Sequence, residues 1–159
     1  MIKKKHVKNH TTRETALSLL ARVEHGGAFA DRVLAAPQVS NMEERDRLFI
    51  RELLLGVLRW KLRLDRIIET FYNKNLNSLD PEICNILRLG LFQLMFMGSV
   101  PDWAAVNESV TLAHDHRGER AAGLVNAILR RFSREGEPPF PDEPSERLSF
   151  ETSHPLWLW

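Results

Sequence analysis

Cysteine is nearly absent from this 159-residue chain, and the single one, Cys84, lies inside an apolar run. There is no disulfide framework and no Cys-x-x-Cys, which excludes a stapled secreted scaffold, and a reducing cytoplasm fits best. Long apolar runs are missing as well. The longest, near residues 89–97, is interrupted by Gly90 and Gln93, and the basic N-terminus MIKKKHVKNH is followed by no apolar segment. Neither a membrane span nor a signal peptide is expected. Period-2 alternation is missing, and without a strand there is nothing for a glycine-rich phosphate or cofactor loop to follow. His114 and His116 form an HxH with no further ligand at metal spacing, so no metal site is expected. Cys84 has no basic neighbour to favour its thiolate and reads as an inert core thiol. Catalysis within these residues is not expected.

What is present is charge, unevenly placed, on a body that is 43% hydrophobic. The net charge of +1 conceals a basic start, where Lys3, Lys4, Lys5, Lys8 and Arg13 stand with no acid among residues 1–13. It also conceals an acidic stretch, where Glu135, Glu137, Asp142, Glu143, Glu146 and Glu151 face Arg147 alone. A basic arm (residues 1–10) ahead of a near-neutral body suits a polyanion, because each cation set on a phosphate releases condensed counterions.

Helical spacing recurs with start and stop signals, so the fold is expected to be all α, a bundle of about seven helices. Thr11-x-x-Glu14 reads as a capping box opening a helix whose Ala16, Leu17, Leu20 and Val23 share one face, with Gly26-Gly27 ending it. A short helix from about Ala28 to Ala36 would be stopped by Pro37. Ser40-x-x-Glu43 is a second box, opening a helix that runs to about Tyr72 with a bend or break near residues 61–63. Asp80-Pro81 supplies an N-cap and a first-position proline for PEICNILRLGLFQLMFM, apolar nearly all round and hence the buried central helix. Gly90 and Gly56 cost helix propensity there and in the preceding helix, and close helix contact is the expected return. A helix from Pro101-Asp102 to about His114 and a last one from Glu119 to about Arg134 complete the domain, residues 11–135. Residues 136–148, GEPPFPDEPSE and its continuation, are proline-rich and acidic and read as a stiff linker. Residues 149–159, ending Leu-Trp-Leu-Trp, read as the start of a following region, so the polypeptide is expected to continue beyond Trp159.

Two basic clusters could hold phosphate. In the last helix Ala121, Leu124, Val125, Ile128, Leu129 and Phe132 form a core-facing stripe, with Arg120, Arg130, Arg131 and Arg134 beside it. Arg59, Lys61, Arg63 and Arg66 surround Trp60, cations around an aromatic that is itself expected to be core rather than a stacking surface. Asn107, Glu108 and Asn126 are polar groups set in apolar helices and are expected to make structural hydrogen bonds between helices.

VPDWAAVNESVTLAH followed by AAGLVNAILRR resembles the NusB-like domain. TRETALSLLARVEHGGAFAD, ERDRLFIRELLLGVLRWKLRLD, LRLGLFQLMFM and above all GLVNAILRR resemble that domain as it occurs at the N-terminus of the bacterial Sun/Fmu (RsmB-type) small-subunit rRNA cytosine-5 methyltransferases. The tail RLSFETSHPLWLW is similar to the passage into their catalytic part. Trp103 departs from the pattern, relatives commonly having histidine there. The resemblance implies an RNA-binding domain, partnered by small-subunit (16S) rRNA and by a C-terminal methyltransferase domain of the same polypeptide. That domain would use S-adenosylmethionine and a cysteine nucleophile, in a doubly wound α/β fold beyond Trp159. Two alternatives stand beside this reading: a free-standing antitermination factor that binds RNA, and a protein-docking helical domain.

Overall fold

In the computed structural model, residues 2–155 and 157 are described, residues 2–11 by their backbone alone. The described residues form eight α-helices and one 3-10 turn, with no strand among them. They fall into two compact units, Met1–Gly56 and Val57–Trp159.

The first unit holds α1 (Ile2–Gly26), α2 (Ala30–Leu34), α3 (Pro37–Ser40) and the first half of α4 (Glu44–Tyr72). Ala16, Leu17, Leu19 and Leu20 of α1 are buried, as are Val33, Val39, Ile50, Leu53 and Leu54. Three boundaries differ from the sequence expectation. The helix does not open at Thr11: nothing in MIKKKHVKNH forbids helix, so the basic arm forms the first turns of α1. α2 ends at Leu34, ahead of Pro37 as expected, and Pro37 also begins α3, since a proline has no amide to waste at a first helical position. Ser40 ends that turn, and the carbonyl of Glu43 accepts the first bond of α4, from the Arg47 amide at 3.0 Å. α4 itself is continuous from Glu44 to Tyr72.

The second unit is arranged around α5 (Pro81–Phe96). Asp80 caps it as anticipated, its carboxylate accepting from the amides of Glu82 (2.9 Å) and Ile83 (3.3 Å). Every residue from Ile83 to Gln93 is buried. A Cβ on Gly90 would stand 2.7 Å from Leu129 Cδ1 and 2.8 Å from Ser109 Oγ, so glycine is what lets α6 and α7 close on α5. One charged side chain is buried in this apolar helix. Arg88, 8% exposed at its side chain, pairs with Asp65 of α4 through Nε (2.6 Å) and Nη2 (3.0 Å) and donates to Asn85 Oδ1 (2.8 Å). Burial of a guanidinium is tolerated only with such compensation.

α6 (Asp102–Arg117) and α7 (Glu119–Glu135) form an antiparallel hairpin whose turn is Gly118 alone, at φ 83°, a backbone angle that disfavours any side chain. Ser133 Oγ donates to Asp102 Oδ2 (3.2 Å) at the open end, setting the two helices level. At the closed end Arg117 bridges Asp80 (2.9 Å) and Glu82 (2.8 Å), and His116 Nδ1 lies 2.9 Å from Glu82. Burial alone would raise the Asp80 pKa, but the bonds from Arg117 and the two amides outweigh it and hold the carboxyl below its ordinary value.

α8 (Pro144–Thr152) begins inside the stretch expected to be a linker, residues 136–148, and runs past its end, with Pro144 at its first turn and the Glu143 side chain accepting from the Glu146 amide at 2.7 Å.

Candidate nucleic-acid interface

The two basic clusters of the second unit have opposite fates. The cluster on α4 is engaged by the chain's own C-terminal segment. Arg63 forms a two-pronged bond with Glu137, Nε to Oε1 and Nη2 to Oε2, both 2.7 Å. That bond is the main cause of its raised pKa, against an opposing effect of burial. Arg59 donates to the carbonyl of Thr152 (2.7 Å) and Arg63 to that of Glu151 (3.5 Å), the last two residues of α8. Those carbonyls have no partner within the helix and carry the negative end of its dipole, so two guanidinium groups are well matched to them. Arg66 donates to the carbonyls of Pro138 and Pro139. Burial lowers its pKa, with Arg63 adding to the effect and Glu137 opposing it. The Phe140 ring lies under both Arg63 (5.2 Å) and Arg66 (5.4 Å), and Phe150 under Arg66 (5.2 Å).

Trp60 is likewise occupied. It stacks on Phe96 at 5.0 Å and 20°, with Arg59 (4.7 Å) and Arg63 (5.6 Å) over its ring. Its rings therefore belong to the protein's own packing, and Lys61 is half-buried beside it. Sequence showed a cation cluster but could not show its partner, which lies 72 to 93 residues further on.

The cluster on α7 is open. At about 100° per residue, Arg120, Arg130, Arg131 and Arg134 fall on one face with Gly123 and Ala127 between them. All six are exposed, while Ala122, Val125, Ile128, Leu129 and Phe132 are buried on the other face. Arg120 and Arg134 have no hydrogen-bond or ion-pair partner among the described residues. Arg130 Nε is held by Asn126 Oδ1 (2.7 Å), and Arg131 by Glu135 (2.8 Å) over the Phe71 ring (4.7 Å). From Arg120 to Arg134 the face runs about 21 Å.

Other candidates are placed differently. Arg13 is 3% exposed, its guanidinium 5.1 Å from the Phe49 ring centre, which removes it from any surface able to meet phosphate. The side chains of Lys3, Lys4, Lys5 and Lys8 lie outside the described residues, as do Leu156, Leu158 and Trp159. Of the three polar groups, Glu108 is buried, Asn126 bonds within its own helix rather than between helices, and Asn107 faces solvent. The polar link that sequence reasoning missed is Asp65–Arg88–Asn85. Its only signal was an arginine and an asparagine, three residues apart, in a largely apolar helix.

An all-helical module with one side of its hairpin lined by arginines is the class of protein that this geometry defines. The profile of the NusB family matches residues 10–134, and the chain belongs to that family. Solved structures share the fold: T. maritima NusB superposes with a TM-score of 0.71 at 21% identity, over 81% of this chain and 92% of that one. A chain in the crystal structure of a plectonemic RNA supercoil superposes at 0.72 with 22% identity, over 80% and 94%.

Among curated relatives, the probable ribosomal RNA small subunit methyltransferase B of Bacillus subtilis is 35% identical over 155 residues, 96% of this chain and 34% of that protein. The methyltransferase B of Pseudomonas putida is 36% identical over 146 residues, 92% and 33%. The transcription antitermination protein NusB of Myxococcus xanthus is 32% identical over 129 residues, 77% of this chain and 92% of that protein. The chain thus spans about a third of the methyltransferases it matches. No helix among the described residues is long and apolar enough to cross a membrane.

Proposed function

We propose that this chain is the RNA-binding N-terminal part of a cytoplasmic S-adenosylmethionine-dependent methyltransferase, which it delivers to small-subunit (16S) rRNA for methylation of a cytosine at C5. The observation that carries the reading is where similarity stops. The NusB family match ends at residue 134, whereas the Bacillus subtilis methyltransferase aligns with 96% of the chain and so reaches well into the segment after α7. That segment is an integral part of the second unit, fixed by Glu137, Phe140 and α8 to the α4 arginines. The Myxococcus xanthus antitermination protein covers 77%. An exit segment held to the bundle by these bonds suits a module that must orient a catalytic domain attached to its C-terminal end.

In this reading the α7 arginines hold rRNA by its phosphates, and Lys3, Lys4, Lys5 and Lys8, cationic in sequence, are proposed separately as further phosphate contacts. Such contacts position the RNA without reading its sequence, so the choice of cytosine falls to RNA shape and to the catalytic part. When bound, the cofactor supplies the methyl group. No strand occurs among the described residues for the loop of a doubly wound cofactor site to follow, and no catalytic step is assigned to them.

The test is to read the gene past the codon for Trp159 and assay its full product with radiolabelled S-adenosylmethionine and small-subunit rRNA. Expected are an α/β domain with a Pro-Cys nucleophile and label on cytosine C5. A stop codon directly after Trp159, with binding to a transcript's single-stranded element, would instead establish the antitermination reading that the NusB relatives represent.

A further inference from the structure

Trp103 is 66% exposed in the first turn of α6, and no other large apolar side chain on α6 or α7 is exposed among the described residues. An isolated indole in water is a poor protein-docking patch, since such patches are contiguous. The exposed positions at the same end of the hairpin are cationic and polar. The Asp102–Ser133 bond sets Trp103 level with the last turns of α7, where Arg130 and Arg134 leave the exposed face one residue or one turn from Ser133. Asn107, one turn along α6, is exposed, with no side-chain partner among the described residues.

We propose that Trp103 is a stacking platform for an unpaired base of single-stranded RNA, with Arg130 and Arg134 taking the flanking phosphates. Every base has a π face, so an open indole at the same end of the hairpin as two guanidinium groups accepts a strand without demanding a sequence. Trp60, the aromatic that the sequence placed amid cations, cannot serve because Phe96 and two arginines already cover its rings. A duplex hides its base faces and gains nothing from Trp103. The inference rests on the RNA-binding reading of α7 and adds to it a preference for unpaired nucleotides.

The experiment is fluorescence anisotropy of the 159-residue chain with a labelled 12-nucleotide single-stranded RNA of mixed sequence and with a 12-base-pair RNA duplex. W103A is expected to bind the single strand about tenfold more weakly, with an unchanged salt slope because no phosphate contact is lost, and W103F to retain most of the affinity. W103A should bind the duplex as the unaltered chain does. R134E should weaken both ligands and flatten the salt dependence. Equal single-strand affinity for W103A and the unaltered chain, with R134E impaired, overturns the platform alone and leaves the indole to a protein partner. Equal losses on both ligands also overturn it. If the unaltered chain binds neither RNA at low salt, the RNA-binding reading fails and the platform with it.

Discussion

Asp65→Ala should damage the second unit more than Arg88→Met, although both break the same pair. Arg88 is the deeper partner, 8% exposed at its side chain against 19% for Asp65. Removing Asp65 strips two charge-assisted bonds from a guanidinium that water reaches far less than it reaches Asp65, a loss on the order of 3–5 kcal/mol. Replacing Arg88 with methionine keeps its apolar stem among the core residues of α5 and leaves a carboxylate that water can partly reach. That loss is about 1–3 kcal/mol. Against a stability of roughly 5–15 kcal/mol the first is severe and the second tolerable. For a chain of this size each kcal/mol is about 2–4 °C, so Asp65→Ala should lower Tm by about 6–20 °C. Urea unfolding followed by circular dichroism measures both at constant m value. The double variant should cost less than the sum of the single ones, since the second change removes the stranded charge. If Asp65→Ala cost under about 1 kcal/mol, or Arg88→Met cost more than Asp65→Ala, the pair would not be the buried constraint described.

Gly90→Ala should destabilise, because its methyl group would meet Leu129 and Ser109 below 3 Å, a cost of about 1–3 kcal/mol that exceeds or cancels the gain of roughly 1 kcal/mol in helix propensity. Gly123→Ala, with nothing within 4 Å, should stabilise by up to about 1 kcal/mol; thermal melts that rank the two in the opposite order refute the packing described. Asp80 has a folded pKa below its unfolded one, so its contribution is present above about pH 4 and lost as pH falls through the folded value. Asp80→Asn should flatten the acid limb of a stability profile in that window, and an identical limb would refute the role given to Asp80. Glu137→Gln should speed amide exchange in α8 by about tenfold by releasing Arg63, and unchanged exchange would mean that the segment is held by something else.

What sequence could show here was local. Asp80-Pro81 announced α5, Gly26-Gly27 the end of α1, and the spacing of Val125, Ile128, Leu129 and Phe132 the buried side of α7, because caps and helical periodicity act within a few residues. Gly90 was legible for the same reason, a costly residue in an apolar helix. Pairings across the chain were not. Arg63 and Glu137 are 74 residues apart, Arg88 and Asp65 23, and no pattern of residue types says which acid will meet which cation. The proline-rich run after Gly136 lacks an apolar stripe, yet α8 forms there because Glu143 caps it and Arg59 and Arg63 meet its final carbonyls. The Thr11 box misled for the opposite reason: a capping sequence marks a helix start only where the preceding residues stop helix, and Lys-Lys-Lys-His does not.

The most direct test of the division between an occupied and an open arginine cluster is the salt dependence of binding to a small-subunit rRNA fragment, compared across two charge-altered variants. Four arginines on α7 contacting a single strand give a slope of about −3, or roughly a 50-fold loss of affinity between 50 and 200 mM salt. Arg120→Glu with Arg134→Glu should cut that slope by about 1.4, whereas Arg59→Ala with Arg66→Ala should leave slope and affinity alone. The reverse result, a slope that depends on Arg59 and Arg66 and ignores Arg120 and Arg134, would contradict the assignment of the RNA-binding face to α7.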